Sequence, residues 1–509
     1  MSSPRPNILF VMTDQQRADT IAALGNPHIY TPHLDRLAQR GLAFTDAYTT
    51  CPVCVAARAT IRTGCEPPTT RAFRNAIAPP APGQAATIEG RCGPYLARTL
   101  RRLGYRTFGI GKFHTLPWDE DLGYETHLHS EELYDTPEQR RRDGYAGWIA
   151  RHHPQFDYIE ALMGERTEMY YMPQVSPLPA HLTVERWAAD RAVEQLRYDD
   201  GRPFFGFVSF IGPHPPFAPP VPFNRMYDPD RMPDPAPGNL TVDHMDEQIP
   251  WMNHVIWADG ISNARARALK ARYYGEISYI DDCLGRILDA LEARPDAENT
   301  LICFFSDHGD HLGDHHAWQK ESFFEAACRV PFLISWPAAL PAGVVRDDLV
   351  CLTDWFGIAT RAAGAPELRQ GHDVLRMVAG ECAPRERLVG MYGEPGTPLF
   401  KVMVRERDWK YIFIANGGRA QLFDMRDDRA EIHNLVGERP AVAERLRRAA
   451  AAACDVPGAR AALDAHGSLL AFAYRERARS RVYQFDRSRG VEGFPARPED
   501  VLAGWRERG

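Results

Sequence analysis

An α/β fold with a mostly parallel central sheet is predicted by two features of this chain: apolar runs that stop abruptly at polar residues, and helical patterns between those runs. Asn7 to Met12 is such a run, and it ends at Thr13-Asp14-Gln15, as a buried parallel strand does when it delivers polar groups at its carboxyl end. The pattern recurs three times. Arg106 to Ile110 leads into Gly111-Lys112-Phe113-His114, Phe204 to Phe210 into Gly212-Pro213-His214, and Leu301 to Phe305 into Asp307-His308.

Between the runs lie helical segments at Pro94 to Leu103, at Val184 to Leu196 and at about 264–294. The second of these puts Trp187, Ala188, Ala192 and Leu196 on one face. Strands alternating with helices imply a sheet covered on both sides, and ligands of such sheets bind beyond the carboxyl ends of the strands. Four strand ends carrying Asp, Gln, Lys and His are therefore expected to converge. After about residue 375 the runs shorten, at Leu388 to Tyr392, Phe400 to Arg405, Lys410 to Ala415 and Gln421 to Asp424. Asn416-Gly417-Gly418 joins two of them as a hairpin, and Ala441 to Cys454 reads as a closing helix. The expected organisation is a catalytic α/β domain over 1–375, a smaller α+β domain with an antiparallel sheet over 376–470, and a tail over 471–509. The tail mixes aromatics with Arg and lacks periodicity, so it reads either as an oligomerisation arm in a homodimer or homotetramer or as a frayed terminus.

Composition narrows the function classes. With 509 residues, 44% hydrophobic and 25% charged, the chain has ordinary globular proportions. A net charge of −7, with Arg interspersed among Asp and Glu, gives no basic field for nucleic acid, and nothing reads as membrane-embedded. The N-terminal apolar run is too short for a signal peptide, so a cytoplasmic location is expected. The ten Cys show no repeated framework, although Cys51 and Cys54 form a CxxC pair.

Position 54 carries the strongest chemical signal. A helix is expected from Val55 onward, which puts Cys54 at its N-terminus, where backbone N–H groups favour an anion; Arg58 falls one turn further on the same face. A redox CxxC of Cys51 and Cys54 is the competing reading. The segment from Cys54 to Gly64, with Ala56, Arg58 and Thr63-Gly64, resembles the sulfatase signature, whose CxPxR or CxAxR core directs oxidation of the Cys to formylglycine. Asp14-Gln15 and Asp307-His308 resemble the metal-ligand positions of that family, with Gln15 and His308 in place of two of its usual oxygen ligands. SDHGDHLGDHHAWQK, GKFH and QLFDMRDDRAEIHNL extend the likeness over most of the chain.

The resemblance implies an alkaline-phosphatase-like fold and a sulfatase acting on small sulfate monoesters. It implies one divalent ion, Ca²⁺ or Mn²⁺, held by Asp14, Gln15, Asp307, His308 and the residue at 54, and maturation by a formylglycine-generating enzyme. It assigns catalytic roles to Arg58, Lys112, His114, His214 and Lys320. His214 or Lys320 would assist the leaving group, and His114 would take a proton when sulfate is expelled. Asn75, Lys112, His214 and Lys320 would contact substrate, and the acidic stretch Asp119 to Glu125 would line the pocket. Two other readings stand beside this one: a phosphonate monoester or phosphodiester hydrolase on the same scaffold, and a binding protein with unmodified Cys54.

Overall fold

The computed structural model describes residues 5–132, 134, 136–157, 169–239, 246–258, 260–416 and 418–453; the predicted tail lies outside them. The first strand is β1 (Asn7–Thr13), followed by β2 (Leu42–Phe44), β3 (Ala47–Tyr48), β4 (Ala72–Arg74), β5 (Ala76–Ile77), β6 (Arg106–Gly111), β7 (Thr126–His129) and β8 (Phe204–Ser209). Next come β9 (Thr300–Ser306), β10 (Phe332–Ser335), β11 (Val344–Arg346) and β12 (Val350–Cys351). The main sheet has eight strands in the order β11-β2-β10-β9-β1-β8-β6-β7. From β9 to β7 the pairing is parallel throughout, and β10 runs antiparallel to both of its neighbours.

The four expected strand runs all form strands, and they supply four of the five consecutive parallel strands. Every residue of β1, β6, β8 and β9 is buried, because helices cover both faces. On one face the helix Cys54–Thr63 and the helix Asp354–Ala362 complete a core in which Trp355 stacks on Phe332 at 3.7 Å and on Phe305 at 4.6 Å. The helices Pro32–Gln39, Val184–Arg197 and Asn263–Glu292 seal the other face, with Trp187, Ala188, Ala192 and Leu196 buried as their spacing requires. Short strands such as β2 and β11 carry too few residues for a readable period, and they form by adding to edges that the longer strands create.

Register decides where the polar strand ends meet. Thr13 of β1 pairs with Ser306 of β9, and Gly111 of β6 pairs with Ser209 of β8, so the residues that follow leave the sheet on one level. Gly111 has φ +96°, and a Cβ there would lie 1.9 Å from the Ser209 carbonyl oxygen, so only glycine lets the chain turn Lys112 inward.

The later strands β13 (Arg387–Tyr392), β14 (Lys401–Glu406), β15 (Trp409–Ile414) and β16 (Arg419–Asp424) make a separate antiparallel sheet in sequence order. The helix Pro440–Ala453 packs on it through Ala443, Leu446 and Ala450. Phe73 joins that same apolar cluster, so the second sheet leans on a residue from the first half of the chain.

Candidate active site

Cys54 is the first residue of a ten-residue helix that is buried along its whole length. The Asn75 side chain caps this helix by accepting from Val55 N–H at 3.0 Å. The predicted substrate ligand Asn75 therefore also fixes the N-terminus that presents position 54. Burial and the nearby Asp14 carboxylate push the Cys54 thiol up to about 12, so it is held as a thiol. Both members of the CxxC pair are free thiols, and Cys51 Sγ faces the Phe73 carbonyl at 3.5 Å, within its own buried pocket.

Around Cys54 the strand ends converge. Asp14, Cys54, Asp307 and His308 are fully buried, and each offers a ligand atom within 4.8 Å of the others. His308 Nε2 lies 3.2 Å from Cys54 Sγ, 3.8 Å from Asp14 Oδ1 and 3.6 Å from Asp307 Oδ1. Its Nδ1 faces the Gly309 carbonyl at 3.1 Å and must donate there, which leaves the Nε2 lone pair turned toward the carboxylates. Burial keeps this imidazole neutral, and the Asp14 and Asp307 carboxylates repel each other across the same space. Two carboxylates and one imidazole lone pair aimed at a single point suit a divalent cation, so the donor set fits the ion the sequence predicts.

Arg58, one turn along the helix from Cys54, is engaged with the acids. Its guanidinium forks between the two acids, with Nη2 at 2.8 Å from Asp14 Oδ2 and Nε at 3.0 Å from Asp307 Oδ2, and Nη1 donates to Ser209 Oγ at 3.0 Å. Arg58 thus orients the acids from behind. Lys112 is completely buried and pairs with Asp14 Oδ2 at 2.7 Å and with Glu132, a carboxylate the motifs did not reveal. Gln15 lies beside the four-donor group: Oε1 accepts from Lys320 Nζ at 2.5 Å, and Nε2 donates to Asp310, which Tyr171 also holds at 2.8 Å.

His114 has φ +48°, and its backbone N–H donates to Glu131. Burial and the Lys112 charge bring its pKa down to about 4, so it is a neutral base at neutral pH. The His214 pKa falls to about 3 through burial, and its Nδ1–H is committed to the Pro215 carbonyl at 2.8 Å. Only Nε2 remains on His214, as an acceptor. Lys320 keeps its ammonium: its pKa is raised despite burial, and with Cys54 a neutral thiol the nearby charge that holds it is the Asp14 carboxylate. A cleft of about 280 Å³ is lined by Asn75, Glu132, His214 and Lys320.

The acidic stretch Asp119 to Glu125 does not line that cleft. Asp119 pairs with Arg142, Asp121 with Arg98 and Glu125 with Arg202, all at the surface, and Glu120 accepts from Tyr95. Glu132, Ser209 and Tyr171 hold the site together but sit in no recognisable motif, whereas Asp310 lies within the segment SDHGDHLGDHHAWQK without being singled out there. The Glu131-Glu132 pair just after β7 was the available signal, and the fully buried Lys112 explains it.

The family model for sulfatases matches residues 6–365, and one for the C-terminal part of N-sulphoglucosamine sulphohydrolase matches 313–450. An arylsulfatase from Clostridium perfringens is 29% identical over 85% of this chain and 90% of its own length. A choline-sulfatase from Rhizobium meliloti is 30% identical over 86% and 83%. Among solved structures, the phosphonate monoester hydrolase of Agrobacterium radiobacter superposes with a TM-score of 0.73 at 24% identity, covering 87% of this chain and 94% of that one, which is a likeness of fold. With the formylglycine-directing Cys54 seated among converging acids at the carboxyl ends of a parallel sheet, and the sulfatase model spanning residues 6–365, the chain belongs to the sulfatase family of sulfuric ester hydrolases.

Proposed function

We propose that this chain hydrolyses small sulfate monoesters at position 54 after Cys54 is oxidised to formylglycine, and that Asp14, Gln15, Asp307, His308 and the residue at 54 would hold one divalent ion. The observation that carries this reading is the juxtaposition of Cys54 with that buried donor set beneath a cleft. A hydrated formylglycine supplies two hydroxyls, one to bond to sulfur and one to expel sulfate, and the ion supplies charge stabilisation. The remaining roles fall to the chain itself. Arg58 holds Asp14 and Asp307 in place, and Lys112 offsets the Asp14 charge from below. Lys320 gives its proton to the leaving alkoxide, because the one N–H of His214 is committed to Pro215. His214 Nε2 accepts from a water in the cleft. His114 takes the proton released as sulfate departs, and its neutral ring suits that task.

The imidazole donor of His308 favours Mn²⁺ over Ca²⁺, which takes oxygen ligands. We further propose a cytoplasmic enzyme matured by a formylglycine-generating partner, acting as a homodimer or homotetramer through the segment 471–509. A second activity on phosphonate monoesters is supported by the same tetrahedral anion and by the fold shared with the Agrobacterium enzyme. Peptide mass spectrometry tests the nucleophile: conversion lowers the Cys54 peptide by about 18 Da, and an unconverted but fully active protein would sink the proposal. Parallel rates on aryl sulfates and phosphonates decide between the two activities. Metal analysis of the purified protein separates Mn²⁺ from Ca²⁺, and light scattering before and after deletion of 474–509 tests the oligomer.

A further inference from the structure

Part of the cleft lining is built for positive charge. Beyond Lys320, the cleft is lined by Tyr170, Trp251, Tyr392, Gln248 and the carboxylate of Glu321. Gln248 is 4% exposed; its Nε2 donates to Glu321 Oε2 and contacts Tyr392 Oη at 3.0 Å, which fixes the amide orientation. Its Oε1 is thereby left buried and without a hydrogen-bond partner among the described residues. A buried acceptor in that condition is costly unless a ligand supplies a donor or a positive charge.

Glu321 points to the same ligand. Its side chain takes hydrogen bonds from neutral groups, Gln248 and Tyr392, and no described cationic side chain forms an ion pair with it. The nearby Lys401 is used otherwise: it pairs with Asp246, donates to the Glu321 backbone carbonyl at 2.7 Å and lies over the Tyr392 ring at 5.2 Å. Arg74, also on the cleft, is half exposed and paired with Glu394 at 3.2 Å. Besides Lys320, whose charge acts on Cys54, the cleft therefore offers a carboxylate, an open carbonyl and the rings of Tyr170 and Trp251. A neutral alcohol would leave the carboxylate and the buried carbonyl unanswered, whereas an ammonium group is attracted both by the carboxylate and by ring faces.

We infer that the alcohol half of the substrate carries an ammonium group, so that the substrate is a zwitterion with sulfate at Cys54 and the cation held among Glu321, Gln248 and Trp251. This rests on the sulfatase reading for the orientation of the ester. The test is calorimetric binding to the metal-loaded Cys54→Ala full chain, which cannot turn over. Two ester pairs are compared: 2-aminoethyl sulfate against propyl sulfate, and 2-(trimethylammonio)ethyl sulfate against its carbon isostere 3,3-dimethylbutyl sulfate. At least one cationic ester should bind about tenfold or more tightly than its neutral counterpart, and Glu321→Gln should bring that ratio close to one. Equal or weaker binding of both cationic esters overturns the inference, as does a ratio that survives Glu321→Gln. Should Glu321→Gln fail to fold, Trp251→Leu replaces it, with the same loss of preference required. Hydrolysis of 4-nitrophenyl sulfate by the wild-type protein is measured separately, so a failure of the sulfatase reading is distinct from a failure of the ammonium pocket.

Discussion

Arg58→Met removes the charge between the two acids and keeps most of the side-chain stem. In the native site Arg58 makes two buried ion pairs, at 2.8 Å to Asp14 and 3.0 Å to Asp307. Deleting one partner of a buried pair costs about 3–5 kcal/mol, because the remaining charge has lost both water and its counter-ion. Lys112 still offsets Asp14 in the variant, but Asp307 keeps no other cationic side chain within hydrogen-bonding distance among the described residues. In chelator, then, urea unfolding followed by tryptophan fluorescence should show a loss of about 3–5 kcal/mol. With saturating divalent ion the gap between variant and wild type should narrow, since the ion then supplies the positive charge that Arg58 supplied and stabilises the folded state by linkage. A loss below about 1 kcal/mol in chelator, or a gap that the ion leaves unchanged, would refute the view that Arg58 balances the acids.

Further outcomes follow from the site. Cys54→Ala should abolish turnover with an unchanged circular dichroism spectrum, whereas Cys51→Ala should retain substantial activity; comparable, redox-sensitive losses at both would restore the dithiol reading. Chelation should remove activity, and Asp307→Ala should prevent ion retention by deleting a charged ligand, as read by metal analysis after dialysis. His114→Ala should slow sulfate release more than ester cleavage, giving a burst of alcohol before a slow steady rate in rapid-mixing assays. The acid limb set by His114 should lie near pH 4 instead of 6.5, because its folded pKa is lowered to about 4. The same shift has a stability consequence: between pH 6.5 and about 4 the unfolded chain binds a proton that folded His114 refuses, so stability falls as pH drops through that window, and His114→Gln should flatten the fall.

Much of the framework was legible in the sequence because it depends on local pattern. Apolar runs of six or seven residues at β1, β6, β8 and β9 have no soluble alternative to a covered parallel sheet, and the polar residues that end them had to share one edge. The anchors from Cys54 to Gly64 likewise fix both the helix and the chemistry at its first residue. What those side chains do to one another was decided only by tertiary structure. Nothing in the spacing of Arg58 says that it grips Asp14 and Asp307 from behind. That arrangement depends on the register of Thr13 with Ser306 and on the depth to which the helix sinks. Glu132 carries no motif, yet it pairs with Lys112 because β7 joins the sheet next to β6 and returns its acidic end toward the lysine. The pKa values of His114 and His214 belong to the same class, since desolvation is a property of the assembled site and of no single segment. Sequence determined which groups reach the carboxyl edge of the sheet; long-range packing and burial decided which of them carry charge, which donate, and which only hold the others in place.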